Sequence, residues 1–197
     1  EYAKRLNLQS KVNLESDFSF FDLPNSGYSR VQSEAAVAII DRGAIGPKYL
    51  PAHAHADTLS FELSLFGQRV VVNSGTSTYE DSVERHNQRS TLSHSTISID
   101  NQNSSEVWSS FRVARRANIF NRKQTVKKDQ ICLSASHDGY KRLIGKPLHK
   151  REWLFKNQSL IVTDIINGNG IHSILSVIPI HPDIEIIKKL SDSVILN

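Results

Sequence analysis

The sequence predicts an all-β fold, an antiparallel β-sandwich, and three observations carry that expectation. Short runs rich in Val, Ile, Phe and Thr recur along the chain, and clusters of turn residues separate them. Helix-type patterning is weak beyond the first dozen residues, where Glu1 to Val12 suit one short helix. Many short strands with frequent turns favour two packed antiparallel sheets. A length of 197 residues suits one sandwich domain.

Taken in order, residues 1–16 read as a tail or linker from an upstream domain, and residues 17–197 as the sandwich. With Glu1 first and no Met anywhere, the chain is expected to be a piece of a longer one. Strands are expected at Ala35–Ile40, Thr58–Phe66, Arg69–Val72, Ser95–Ile99 and Phe111–Phe120. Further ones are expected at Ile131–Ala135, Glu152–Phe155, Leu160–Ile166, Ile171–Ile178 and Ile184–Ile187. Phe66-Gly67-Gln68-Arg69 reads as a tight hairpin turn, with further turns at Lys156–Ser159 and Asn167–Gly170.

Composition narrows the function classes. No apolar stretch approaches a membrane span, and no signal peptide opens the chain. The net charge of +4 is mild, and much of it comes from Arg and Lys residues between 112 and 151, which read as a solvated strand face. A polyanion is the competing reading of that excess. Cys132 stands alone, which leaves no disulfide framework and no cysteine metal site within the chain. One cysteine does not choose a compartment.

The chemistry concentrates in three clusters. The first is His53-Ala54-His55-Ala56-Asp57-Thr58, running into Leu59-Ser60-Phe61-Glu62. If this segment is extended, both imidazoles and the carboxylate share one face, since side chains alternate along a strand. Asp57 and Glu62 are then candidate acceptors behind the histidines, with salt bridges to arginine as the competing account. The second is Val72-Asn73-Ser74-Gly75-Thr76-Ser77-Thr78-Tyr79-Glu80, and the third is Arg85-His86-Asn87-Gln88-Arg89-Ser90-Thr91-Leu92-Ser93-His94-Ser95-Thr96. A hairpin at Gly67 returns Asn73 towards His55, and His94 can close a three-residue site. Zinc suits two imidazoles and an oxygen ligand.

These clusters, with Ser105-Glu106-Val107-Trp108 and Phe111-Arg112-Val113-Ala114-Arg115, resemble the heparinase II/III family of polysaccharide lyases. The resemblance is specific over roughly residues 25–120. It implies a supersandwich-like C-terminal domain whose partner, an α/α toroid, lies upstream. It further implies cleavage of an acidic, uronate-containing polysaccharide by β-elimination, in exopolysaccharide or capsule metabolism. Nucleic acid is not an implied partner, and the periplasm is favoured over the cytoplasm. By the resemblance, His53 and Tyr79 are the catalytic candidates, and Arg89 and Trp108 bind substrate. His55, Asn73 and His94 are the zinc candidates. The chain departs from the family pattern twice: Asn73 stands where the family has an aspartate ligand, and Ser77 where it has a tyrosine. Those departures support the rival reading, a carbohydrate-binding or structural sandwich without catalysis. The spacing of His53, His55 and Asp57 also occurs in metallo-β-lactamase-type hydrolases, but Thr58 stands where their motif needs a further histidine.

Overall fold

The computed structural model describes residues 17–197. The helix and tail expected before residue 17 lie outside the described residues. The strands are β1 (Ser19–Leu23), β2 (Tyr28–Gln32), β3 (Ala36–Asp41), β4 (Phe61–Leu65), β5 (Gln68–Val71), β6 (Ile97–Ile99), β7 (Val107–Trp108) and β8 (Arg112–Val113). They continue as β9 (Ile119–Val126), β10 (Gln130–His137), β11 (Leu148–Lys156), β12 (Ser159–Asn167), β13 (Ile174–Ser176), β14 (Ile186–Lys189) and β15 (Val194–Leu196). Among the described residues one helix, α1 (Val83–Arg89), precedes a 3₁₀ turn at Thr91–Ser93. No helix among the described residues is long and apolar enough to cross a membrane.

Two antiparallel sheets form the sandwich. One has the order β1-β2-β3-β4-β5 and the other β12-β11-β10-β9. Alternation along the strands sends Val31, Ala38, Ile40 and Phe61 of the first sheet against Ile131, Leu133, Trp153 and Phe155 of the second. Leu133 and Trp153 are fully buried, so this layer holds the sheets together. The turns follow their chemistry. Phe66 and Gly67 both take positive φ, at 50° and 83°, which gives the two-residue hairpin whose twist matches its strands.

The inward face of β11 changes character along its length. Trp153 and Phe155 are apolar, but His149 and Arg151, at the same alternation, are also buried. The expected solvated basic face therefore does not include Arg151. His137 and His149, unremarkable in the sequence, prove to be interior residues.

Three expectations are corrected. Residues 53–57 are not extended strand; they belong to an irregular loop with turns, and pairing begins only at Phe61. The single strand expected over Phe111–Phe120 is two short pieces, β8 and the start of β9, with Ala114–Asn118 between them. A helix occurs where none was expected. Ser82 caps α1 by accepting from the Arg85 N–H at 3.1 Å, and Glu84 sits in the first turn, where an acidic side chain offsets the helix dipole.

Truncating the shared layer gives the first prediction. Leu133→Ala should lower unfolding free energy by about 2–5 kcal/mol, measured by chemical denaturation, because the cavity lies between the sheets. A loss well under 1 kcal/mol would mean that the sheets do not share this core.

Candidate functional site

The loop before β4 crosses the end of the first sheet. It is held by its backbone: the Ala56 N–H donates to the Arg89 carbonyl at 2.9 Å, and Arg89 Nε donates to the Ala54 carbonyl at 3.1 Å. Thr91 Oγ1 adds a bond to the Ala56 carbonyl at 2.7 Å. So α1 and the 3₁₀ turn fix the loop that carries His53 and His55, while His94 follows the same turn directly.

The two inner imidazoles meet. His55 Nδ1 lies 3.1 Å from His94 Nε2, with ring centroids 5.2 Å apart. On its other side, His55 Nε2 is 3.3 Å from both Thr76 Oγ1 and Arg85 Nη1. A guanidinium only donates, so His55 Nε2 accepts from Arg85 and the His55 proton sits on Nδ1, donating to His94. The remaining His94 proton, on Nδ1, has no partner among the described residues although the side chain is buried. Both rings are neutral. Burial, then the Arg85 and Arg89 charges, push His55 down to about 4, and burial, then His55 itself, push His94 down to about 3.

His53 takes a different direction. Its exposed ring stands edge-on to Tyr79 at 5.3 Å and to Phe111 at 5.9 Å, and those two rings stack 5.8 Å apart. Beneath Tyr79 lies Arg85, its guanidinium 5.4 Å from the ring centroid. Arg85 is completely buried and has no carboxylate partner among the described residues; its Nη2 is unpaired. A cleft of about 510 Å³ runs past His53, His55, Asn73 and Thr76 and reaches Asp41 and Asp57. Burial pushes Asp57 up to about 6, and burial plus the Asp57 charge raise Asp41 well above the carboxylate range. The pair therefore holds a proton more readily than ordinary carboxyls do.

The other expected roles change in the folded chain. Arg89 is buried, and its guanidinium donates to the carbonyls of Ala54, Trp108, Ser109 and Arg112. Four carbonyls occupy its edges, which leaves none for a two-pronged substrate contact. Glu62 pairs with Arg69 at 2.8 Å rather than with a histidine. Trp108 is exposed on β7, with the Arg112 guanidinium 5.9 Å from its ring, and does not line the cleft. Ser77 donates its N–H to Gln88 at 3.0 Å and pairs with Glu84. Three residues that lie in the sequence motifs but carry no assigned role there, Arg85, Thr76 and Phe111, belong to the site. The spacing of Arg85 and Arg89, four apart after the Ser82 cap, was the available signal.

The donor set bears on the zinc expected from the sequence. Two zinc-bound imidazole nitrogens at ordinary bond lengths lie about 3.3 Å apart, close to the His55–His94 separation. Among the described residues no cluster of three or more His, Cys, Asp or Glu forms a metal group, so any third protein ligand must be of another type. Asn73 lines cavities with each histidine, but its Oδ1 already accepts the Gly75 N–H at 2.8 Å, and it brings no charge. The two imidazoles are spaced as a pair of zinc ligands would be, while the Asn73 oxygen is engaged with Gly75.

Residues 16–197 match the family model described as heparinase II/III-like, C-terminal. Among solved structures, the chain is similar to heparan sulfate lyase HepC from Pedobacter heparinus, at 22% identity and a TM-score of 0.63 over 88% of this chain and 25% of that one. A mutant of the same lyase gives 23% identity and a TM-score of 0.61 over 80% and 23%. A heparinase III structure gives 21% identity and 0.58 over 79% and 23%. At these identities the likeness is one of fold. The chain spans about a quarter of the length of these solved chains. No curated protein matches it.

The depressed imidazoles set a pH dependence. The unfolded chain takes up these protons near pH 6.5, while the folded rings resist until about 4 and about 3. Their effect on stability is nil above neutral pH and grows as pH falls below 6.5, by at most about 1.4 kcal/mol per pH unit for each ring. In chelator, the melting temperature should fall more steeply from pH 7 to pH 5 in the native chain than in His94→Gln. Parallel curves by calorimetry would show that the rings titrate normally.

Proposed function

From the premise that the chain belongs to the heparinase II/III-like C-terminal family, we propose that it is the sandwich part of a polysaccharide lyase acting on an acidic, uronate-containing polymer. The observation that supports this reading best is the exposed His53 ring against Tyr79 and Phe111, above the buried Arg85 cation that no carboxylate among the described residues neutralises. Such a place attracts an anionic sugar and offers it aromatic surface.

The reaction makes these demands intelligible. In β-elimination a base takes the C5 proton of the uronate, the C4–O bond breaks, and its electron pair leaves with the oxygen as the C4–C5 double bond forms. The leaving oxygen then takes a proton. Removal of the C5 proton is feasible only when the neighbouring carboxylate is neutralised, since charge moves into it in the transition state. His53 would donate to that carboxylate or carry a proton, and Tyr79 beside it would serve as acid or base. Arg85 would add positive potential from below and hold His55 neutral. Zinc, bound by His55 and His94 with Asn73, would tie the two loops together. The remaining catalytic groups, by this proposal, come from an upstream toroid domain, so the sandwich alone should not turn over substrate. The periplasmic setting and the link to bacterial exopolysaccharide or capsule metabolism belong to the same proposal.

A second reading has its own support. Ser77 and Asn73 replace residues that the catalytic family pattern carries, and Tyr79, Phe111 and Trp108 are exposed aromatics of the kind that bind sugars. On that account the sandwich is a carbohydrate-binding or structural unit.

Two experiments separate the accounts. The full-length protein, mixed with uronate polymers, should raise the ultraviolet absorbance of an unsaturated uronate, and His53→Ala should abolish the rise while leaving the melting temperature nearly unchanged. No rise with any uronate polymer would favour the binding reading, and a large stability loss would make His53 structural. Asn73→Asp should tighten zinc binding by tenfold or more, read by titration against a competing chelator, an increment of about 1.4 kcal/mol. An unchanged affinity would mean that residue 73 does not face the ion.

A further inference from the structure

The polar half of the β11 inner face is built as a connected unit. Arg151 is buried, yet it makes a two-pronged pair with Asp164, directly across on β12, through Nε to Oδ1 at 2.7 Å and Nη2 to Oδ2 at 2.8 Å. Its third nitrogen, Nη1, points away from the sheet. It donates to the Leu59 carbonyl at 2.9 Å and also to the Ser95 carbonyl.

Those two carbonyls belong to the two loops of the site. Leu59 lies four residues after His55, at the end of the irregular loop, and takes a φ of 64°, in the left-handed region that residues with a side chain seldom occupy. That conformation places its carbonyl where Arg151 takes it. Ser95 follows His94 directly, and its hydroxyl in turn bonds both the N–H and the carbonyl of Phe61 in β4. One guanidinium thus touches both chain segments whose imidazoles meet.

The unit is also fixed from behind. The Gly139 N–H donates to His137 Nδ1 at 3.1 Å, which puts the His137 proton on Nε2. That proton is donated to His149 Nδ1 at 3.0 Å, and His149 Nε2–H donates to Asp164 Oδ1 at 2.6 Å. Every polar atom in this row has a partner of the right sense, each ring is a single neutral tautomer, and Asp164 is ionised. A row of this kind has one arrangement and resists reorientation. Filling the core would need only apolar side chains, as Trp153 and Phe155 supply further along the same strand.

We propose that Arg151 is a positioning residue, a clamp anchored on Asp164, His149 and His137 that holds the His55 loop and the His94 loop together so that the two imidazoles meet. This rests on the reading of that pair as the inner wall of the site, but the clamp is tested without substrate or metal. An inactive full-length protein would overturn the lyase reading and leave the clamp to its own test.

The test is nitrogen-15 spectroscopy of the histidine rings in the chelator-treated chain, for the native protein, Arg151→Met and the core variant Leu133→Ala. The native chain should show His55 as the Nδ1–H tautomer and His94 with an unprotonated Nε2. In Arg151→Met both rings should shift to the averaged pattern of independent imidazoles, while Leu133→Ala, destabilised through the apolar layer, should keep the native pattern. If Arg151→Met does not fold, Asp164→Asn replaces it, with the same loss of pattern expected because the guanidinium is left without its counter-charge. A folded Arg151→Met or Asp164→Asn that retains the native ring pattern would overturn the clamp. So would Leu133→Ala scrambling the pattern as fully, since the effect would then be one of general stability.

Discussion

Irregular loops that cross the interior present backbone carbonyls with no strand to pair them, and each buried carbonyl must find a donor. In this chain buried arginines provide the donors. Arg89 bonds carbonyls of residues 54, 108, 109 and 112, Arg85 bonds that of Ser110, and Arg151 bonds those of Leu59 and Ser95. Hydrogen bonds to a charged donor contribute about 1.5–3 kcal/mol each, roughly twice a neutral one, which offsets much of the cost of burying the cation. The rest of the site depends on this arrangement. Without it, the segment from His53 to Thr58 would have neither strand pairing nor helix to hold its histidines.

The same arginines set the electrostatics. Arg151 is neutralised by Asp164, whereas among the described residues Arg85 and Arg89 have neutral oxygens, an imidazole nitrogen and a tyrosine face around them. Positive potential therefore gathers beneath the cleft. Burial first, with that potential adding to it at His55, keeps His55 and His94 uncharged, the form in which imidazole ligates a metal or accepts a proton. The carboxyls facing the cleft, Asp41 and Asp57, have raised affinities for protons and so oppose that potential less than their number suggests. A wall of this character is suited to a sugar acid, whose carboxylate gains from positive surroundings and whose C5 proton becomes labile only as that charge is met.

Much of the fold was legible because strands announce themselves through period-two patterning. The pairs β10–β11 and β11–β12 fall where Val, Ile, Leu and Phe alternate between Gln130 and Asn167. The first two strands were not, since Ser19–Leu23 and Tyr28–Gln32 mix polar residues into short runs. The site was legible in part. His53, His55 and His94 stood out by residue type, and His55 and His94 do meet, brought together by the loop's bonds to Arg89 and Thr91 rather than by the expected hairpin. Arg85 and Arg151 were given no role, because a charged residue reads as solvated until a fold encloses it. The partnership of Arg151 with Asp164 depends on a register that only the folded sheet supplies.

The central claim is that this face of the sandwich receives an acidic saccharide over His53, Tyr79 and the buried Arg85. The most direct measurement is chemical-shift mapping of the isotope-labelled chain with a uronate oligosaccharide and with a neutral oligosaccharide of equal length. The account predicts shifts for the acidic sugar centred on His53, Thr76, Tyr79 and Phe111, weakened by salt and nearly absent for the neutral sugar. Shifts centred on another face, or equal shifts for both sugars, would contradict it.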